Sequence, residues 1–376
     1  MSLPDIDLDT LPVPARKVLG AGAPAPLRLM AAKGVIPGLK PGDVVTVIAA
    51  LTYADDPKVA ETAANTLANL PPPLRAAAVT ADLPGSVIDK LCEANPNDHD
   101  LIEHVLRMPR IGRATLERMA DQADERAGEL IATNERLMLE NPSVIEKLYM
   151  NKRVRMSTAD RLLELAVRNG LELEIPAFHE AALAIRDELV SEPSEEPTFD
   201  DVLFRETDEE AQRIELHEED DTHEVDEEGE EHVKTKFLPL HKKIAQMTVT
   251  QKIRTATLGT AAERLLLVRD PNRLVSSAAV RSPLMRENEA VRITASRSIS
   301  EDALRVIAMN REFTRSYQVK LNLVQNPRTP FSFASRIVPH LREHDLRSLA
   351  KSKNVTGAVS QAVKQQLSRK TGAAKQ

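Results

Sequence analysis

The sequence predicts an all-α protein: two domains of stacked short helix pairs, joined by an acidic, disordered linker. Three observations carry that expectation. Alanine, leucine and arginine are abundant, while aromatic residues are 3%, tryptophan is absent and there are only 13 glycines; these are good helix formers and poor strand formers. Apolar residues recur at helical spacing between Pro, Gly and Asn breaks. Near the C-terminus, one pattern returns at a step of about 28 residues.

At 376 residues the chain is long enough to bury two cores. Residues 1–26, proline-broken and containing GAGAPAP, are expected to be disordered. An N-terminal helical domain is expected over 27–190. PGDVVTVIAAL opens one helix after a Pro-Gly-Asp start, DPKVAETAANTLANL opens another, and PPPLRAAAV begins with prolines where a first helical turn tolerates them. DLIEHVLRM, ATLERMADQ, NPSVIEKLYM and STADRLLELAVRNG follow, the last closing on the Asn-Gly of a helix end. The spacing in this half is irregular. Short helices so close together suggest antiparallel hairpins in series.

Around residue 187 the composition changes. Over 187–231 there are 22 acidic residues against two arginines, a net charge of about −20. Residues 191–235 therefore predict an acidic, solvated linker. Over 241–376 the sign reverses, with 25 Lys and Arg against nine acids. The formal charge of −7 conceals this polarity.

The basic C-terminal domain is expected over 236–368, with a ragged tail at 369–376. VRDPNRLVSSAAVRSPLM, SRSISEDALRVIAMNREF, VQNPRTPFSFASRIVPHL and SKNVTGAVSQAVKQQL align without gaps. One column reads Asp270, Ser298, Asn326 and Asn354, all residue types that cap helix N-termini. Pro271 and Pro327 follow in the next column, and Glu301 completes a capping-box pattern with Ser298. Apolar columns at Val275/Ala303/Phe331/Val359, Ala278/Val306/Ala334/Ala362 and Ile293/Leu321/Leu349 mark core faces. Second helices are expected to begin near Pro283, Arg311 and Pro339. Such a pair cannot bury its apolar stripe alone and must stack on neighbours. On these residues the domain resembles α-solenoids of the HEAT-like and leucine-rich-repeat-variant type, QNPRTPFSFASRIV being similar to the variant repeat's opening. The resemblance implies a helix-pair solenoid. The cysteine group that holds an iron–sulfur cluster in some variant-repeat proteins is absent, so no cofactor is implied.

Chemical motifs are scarce. In HEEDDTHEVDEEGEEH, residues 217–232, Asp226 stands where a calcium loop needs glycine, and His217, His223 and His232 lack the i,i+4 spacing of a zinc pair. His340 and His344 have that spacing but no third ligand. Cys92, the single cysteine, reads as a small core residue of a reducing compartment. With an acidic, proline-broken N-terminus and no long apolar run, the expected location is cytoplasmic, with no membrane span. No Ser, His and carboxylate grouping suggests nucleophilic catalysis. The expectation is a non-enzymatic scaffold or adaptor without metal or cofactor.

Partner-binding candidates are cationic or aromatic. Arg269, Arg297 and Lys353 share one 28-residue column, and Arg264, Arg292 and Lys320 share another. Stacked helices would turn each column into a row of cations, fitting an acidic protein partner, nucleic acid or the chain's own acidic linker. The alternative is a set of solubilising arginines. Lys152, Arg153 and Arg155 crowd a turn before a helix capped by Ser157, either a contact loop or a solvated turn. In PTFDDVLF, Phe199 and Phe204 form an anchor for a partner groove or for the chain's own domain. A nucleic-acid binder using the basic face is the second functional reading. Single-strand binding and alkylpurine glycosylases both need stacking aromatics, of which this chain has few.

Overall fold

The computed structural model describes residues 5–6, 8–20, 22–217, 220–227, 229–352 and 354–373. The described chain is helical except for one two-stranded hairpin. It divides into two compact units, Met1–Leu173 and Glu174–Gln376.

In the first unit the helices fall into two packed sets. One set comprises Ala25–Ala32, Pro57–Ala68, Gly85–Ala94, Arg113–Gln122 and Pro142–Met150, each against the next. The other comprises Pro41–Leu51, Pro72–Thr80, His99–Val105, Glu125–Ala132 and Met156–Arg168, again packed in succession. After its first helix the first set is more regular than the sequence suggested: Ala25 stands 32 residues before Pro57, but Pro57, Gly85, Arg113 and Pro142 open helices at steps of 28, 28 and 29. The second set, opening at Pro41, Pro72, His99, Glu125 and Met156, varies between 26 and 31 and obscures the period. The core between them is aliphatic: Val45, Ile48, Ile88, Leu91, Leu116, Ile131, Ile145 and Leu163 are all fully buried.

Local chemistry sets the ends. Asp56, Asp98, Asp124 and Asn134 cap helix starts by accepting the backbone N–H of Lys58, Leu101, Ala127 and Leu137. Asparagines close many of the other ends. Asn69, Asn95, Asn141 and Asn169 each donate a side-chain N–H to the carbonyl four residues back, satisfying acceptors that the helix leaves open. Asn95 and Asn151 also reach across to the preceding helix of their set. Asn95 Nδ2 lies 3.1 Å from Leu67 O, and Asn151 Nδ2 lies 3.0, 3.2 and 2.9 Å from the carbonyls of Ala120, Asp121 and Ala123.

Order extends further towards the N-terminus than composition predicted. Val13–Leu19 is a helix packed on Pro41–Leu51, and Asp5 accepts the N–H of Ser86 at 3.0 Å.

The second unit begins at 174, whereas the composition placed a boundary near 190. Phe178–Ala184 accounts for the difference, because it packs on Val249–Leu258 and Arg273–Arg281. Successive helix pairs follow. Val249–Leu258, Arg273–Arg281, Glu301–Met309, Phe331–Ile337 and Gly357–Ala373 supply one member each; Ala261–Leu267, Glu287–Ala295, Tyr317–Gln325 and Glu343–Lys351 supply the other. Arg273, Glu301, Phe331 and Gly357 open at steps of 28, 30 and 26. Within the sequence-derived columns, Val275, Ala303 and Val359 are buried, but Phe331 is 50% exposed, because its helix starts late and turns Ala334 and Ile337 inward instead.

The expected cap column needs correction. Asp270, Ser298 and Asn354 lie three residues ahead of the helix starts, and Asn326 five ahead, in the turn joining each pair. Asn272 and Ser300 are the caps, accepting the N–H of Leu274 and Ala303. Glu301 is the first helical residue, so it cannot close a box with Ser298. The second helices open at Glu287, Tyr317 and Glu343, four to six residues later than expected.

The acidic stretch expected to be disordered contains two ordered elements. Phe199–Arg213 is a helix with a Thr198/Asp201 capping box, packed on Leu238–Gln246 through buried Leu203 and Phe204. His223–Val225 pairs antiparallel with Glu231–Val233, in the register His223 with Val233 and Val225 with Glu231. Asp226 accepts the N–H of Glu230 at 2.8 Å to close the hairpin, and Gly229 takes φ 90°, a backbone form that favours glycine. These segments escape disorder because a few apolar anchors and specific ion pairs offset the charge repulsion that composition alone records. Among the described residues, no helix is long and apolar enough to cross a membrane.

Candidate interaction edge of the second unit

The turns inside successive helix pairs line up as an edge. The first carries Arg269 and Asp270, the second Ser296, Arg297 and Ser298, the third Gln325, Asn326 and Arg328, and the fourth Ser352 and Asn354. Asn326 ties the third turn to the second, its Nδ2 donating to Thr294 O at 2.9 Å and Ser296 O at 2.7 Å. Arg328 donates to Ser298 O at 3.1 Å.

The acidic hairpin sits on the first two turns. Arg269 donates to Glu231 Oε2 at 3.1 Å, to Asp221 Oδ2 at 3.0 Å and to its own helix at Leu265 O, and its side chain is only 6% exposed. Ser296 Oγ donates to the Glu231 carboxylate at 2.7 Å, and Ser298 Oγ reaches Oε2 at 2.7 Å. Arg292 donates to Asp220 O, and Thr222, fully buried, accepts the N–H of Lys234 at 3.0 Å. One guanidinium and two hydroxyls therefore converge on one carboxylate, a charge-assisted arrangement. Burial raises the Glu231 pKa, but the hydrogen bonds from Ser298 and Ser296 and the Arg269 charge outweigh it and bring it to about 2. His223, on the facing strand, is pushed down to about 4 by burial and by Arg269.

The two sequence-derived cation columns behave differently from a uniform row. Arg264 is a buried structural residue, donating to both Glu289 oxygens at 2.9 Å and to Gly259 O at 2.6 Å. Arg269 is neutralised by Asp221 and Glu231. Both corrections have one cause: the acids that compensate these arginines lie on a neighbouring helix or in the hairpin, too distant in sequence for local charge counting. Arg292 and Lys320 are half-buried, and Arg297 is exposed with no ion pair among the described residues. Lys353 lies outside the described residues.

In the first unit, Arg155 is also structural, 2.5 Å from Glu125 with a side chain 9% exposed. Arg153 donates to Gln122 O at 2.6 Å, and Lys152 is exposed. Ser157 lies buried inside its helix, which begins at Met156 after Arg155, so Ser157 is not the cap. Phe204 is buried on its own unit beneath the Arg254 guanidinium, 5.1 Å from the ring centroid, whereas Phe199 is 70% exposed. The two aromatics therefore do not form one exposed anchor.

Sequence reasoning missed the grip formed by Asp221, Glu231, Ser296 and Ser298. The Ser-Arg-Ser run at 296–298 was the available signal, but its meaning depends on the hairpin folding back. Among the described residues no group of three or more His, Cys, Asp or Glu could hold a metal ion. No family model matches the chain, and no curated protein or solved structure matches it.

Proposed function

We propose that the chain is a non-enzymatic helical-repeat scaffold of the HEAT-like or leucine-rich-repeat-variant kind. The turn edge of its second unit binds acidic segments of partner proteins, and its own acidic hairpin occupies that edge in their absence. The observation that carries the reading is the seating of Glu231 and Asp221 on Arg269. A carboxylate receptor filled by a flanking segment of the same chain is a competitor at high effective concentration. The helix-pair succession, with steps of 26 to 32 residues in the first unit and 24 to 30 in the second, supports the repeat assignment.

Deleting the whole acidic region would remove the packed helix Phe199–Arg213, so point changes make the cleaner test. Full-length Asp221→Asn/Glu231→Gln and the unmodified chain are titrated against a fluorescein-labelled deca-glutamate peptide. The expected result is tighter binding by about tenfold or more, the scale of a charge-assisted contact released to the ligand. Equal affinity for both proteins would overturn the reading. Tighter uptake of a single-stranded oligonucleotide than of the peptide would favour the nucleic-acid alternative.

A further inference from the structure

Part of the grip that holds Glu231, its serine turn, recurs further along the same edge. In the second turn Ser298 N–H donates to Ser296 Oγ at 3.3 Å, and in the fourth turn Asn354 N–H donates to Ser352 Oγ at 3.2 Å. The two serines stand 56 residues apart, two steps of the 28-residue pattern, and shape the same local turn. In the first copy the cation comes from the preceding turn, as Arg269. Before the fourth turn the equivalent position holds Gln325, and the cation that shares a cleft with Ser352 and Asn354 is Arg297, from one turn further back. These side chains, with Asn322, Gln325 and Asn326, line a cleft of about 230 Å³. Asn326 is spent on the carbonyls beneath it and Asn322 donates to Val291 O at 2.9 Å, so they form a fixed floor. Arg297 carries no ion pair among the described residues, and the cleft's lining includes no carboxylate.

We infer that this cleft is a second carboxylate-binding site, taking an acidic side chain of an extended protein segment through Arg297, Ser352 and Asn354. The inference rests on the edge being an acidic-peptide surface, and it adds a ligand position that the hairpin does not reach. A carboxylate fits the chemistry because the occupied grip engages both oxygens of one carboxylate with one guanidinium and two hydroxyls, and the cleft offers a guanidinium, the Ser352 hydroxyl and the Asn354 amide. An acidic partner lying along the edge would have carboxylates at both grips, whereas the hairpin fills only the first.

Arg297→Glu separates this inference from the broader reading, with Arg311→Glu as a matched control, since Arg311 is exposed in the turn between pairs. Both variants are made in the full-length Asp221→Asn/Glu231→Gln chain, and the deca-glutamate peptide is titrated by anisotropy, with circular dichroism confirming equal helicity. Arg297→Glu is expected to weaken binding by at least about tenfold, and Arg311→Glu by no more than about twofold through the general field. Equal effects from the two reversals would overturn the site while leaving the hairpin reading intact. Asn354→Asp, which places a carboxylate in the cleft without touching Arg297, is expected to weaken binding as well; unchanged affinity there would also overturn it.

Discussion

Glu231 and Arg269, separated by 38 positions in the chain, meet at 3.1 Å, and the same guanidinium holds Asp221 at 3.0 Å. The hairpin therefore depends on charges that acid removes. Glu231 titrates near 2 when docked and near 4.5 when released, so its contribution is complete above about 4.5 and disappears as pH falls towards 2. His223 titrates near 4 when docked against 6.5 free, because it is buried facing Arg269, with Asp221, Glu231 and His241 around it. The docked hairpin holds the neutral ring, so its stability is complete above 6.5 and declines as pH falls from 6.5 to 4. Hydrogen exchange of the hairpin amides, corrected for intrinsic rates, should show opening that increases in these two windows. His223→Gln should abolish the upper one and keep the lower. A pH-independent opening constant would contradict this assignment.

The Arg264–Glu289 pair is nearly sealed from solvent, with side chains 5% and 1% exposed. Glu289→Ala leaves a buried guanidinium without its carboxylate, and urea unfolding should register a loss of about 3–5 kcal/mol. Arg264→Met/Glu289→Leu, which removes both charges, should recover most of that loss. If the double change is as damaging as the single one, the cost lies in packing and not in the orphaned charge.

Asn151 joins consecutive helices of the first unit through three carbonyls, at 2.9 to 3.2 Å. Asn151→Ala should destabilise the protein by about 1–3 kcal/mol. Asn151→Asp should be worse than alanine, since a carboxylate would face three carbonyl oxygens. Denaturant midpoints at constant m-value would check both.

Gly128 lies within the helix Glu125–Ala132, where alanine would ordinarily help by up to about 1 kcal/mol. Here a Cβ would lie 2.8 Å from Val154 Cγ2. Gly128→Ala should instead cost about 1–3 kcal/mol by overpacking. Adding Val154→Ala should return part of that, and thermal melts of the three proteins would test the coupling.

Cys92 is buried, and burial pushes its thiol up to about 12. The folded protein should react with a disulfide reagent at pH 8 far more slowly than the protein in urea. Rapid labelling without denaturant would show that the helix Gly85–Ala94 opens locally.

Much of the fold was legible because the relevant signals are local. Prolines lay at or beside several helix starts, although the helix Pro41–Leu51 includes the Pro-Gly-Asp that the sequence placed ahead of it. The spacing of helix starts in the C-terminal half was partly visible too, though two residues out of phase at the caps: Asn272 and Ser300 do the capping that Asp270 and Ser298 were expected to do. Side-chain preference alone cannot separate two capping residue types two positions apart. The edge was less legible. Arg269 and Arg297 stand in one 28-residue column of the sequence, yet one is saturated by the hairpin and the other is exposed. That distinction arises from long-range pairing, as does the neutralisation of Arg264 by Glu289, 25 residues away. Net charge over a window describes an unfolded segment well, but it misses three or four side chains placed to be captured.

The hydrogen bonds that join one helix of a set to the next reach only a short way along the chain. Asn95 spans 28 residues to Leu67, Arg118 spans 29 to Asp89, and Asn326 spans 30 to Ser296. Closing such modest loops carries little entropic penalty, so within each unit folding can start at any pair and spread outwards. By the same token a pair that opens leaves the rest of its unit held by the contacts that remain, and a proteolytic cut within one pair would leave the others folded.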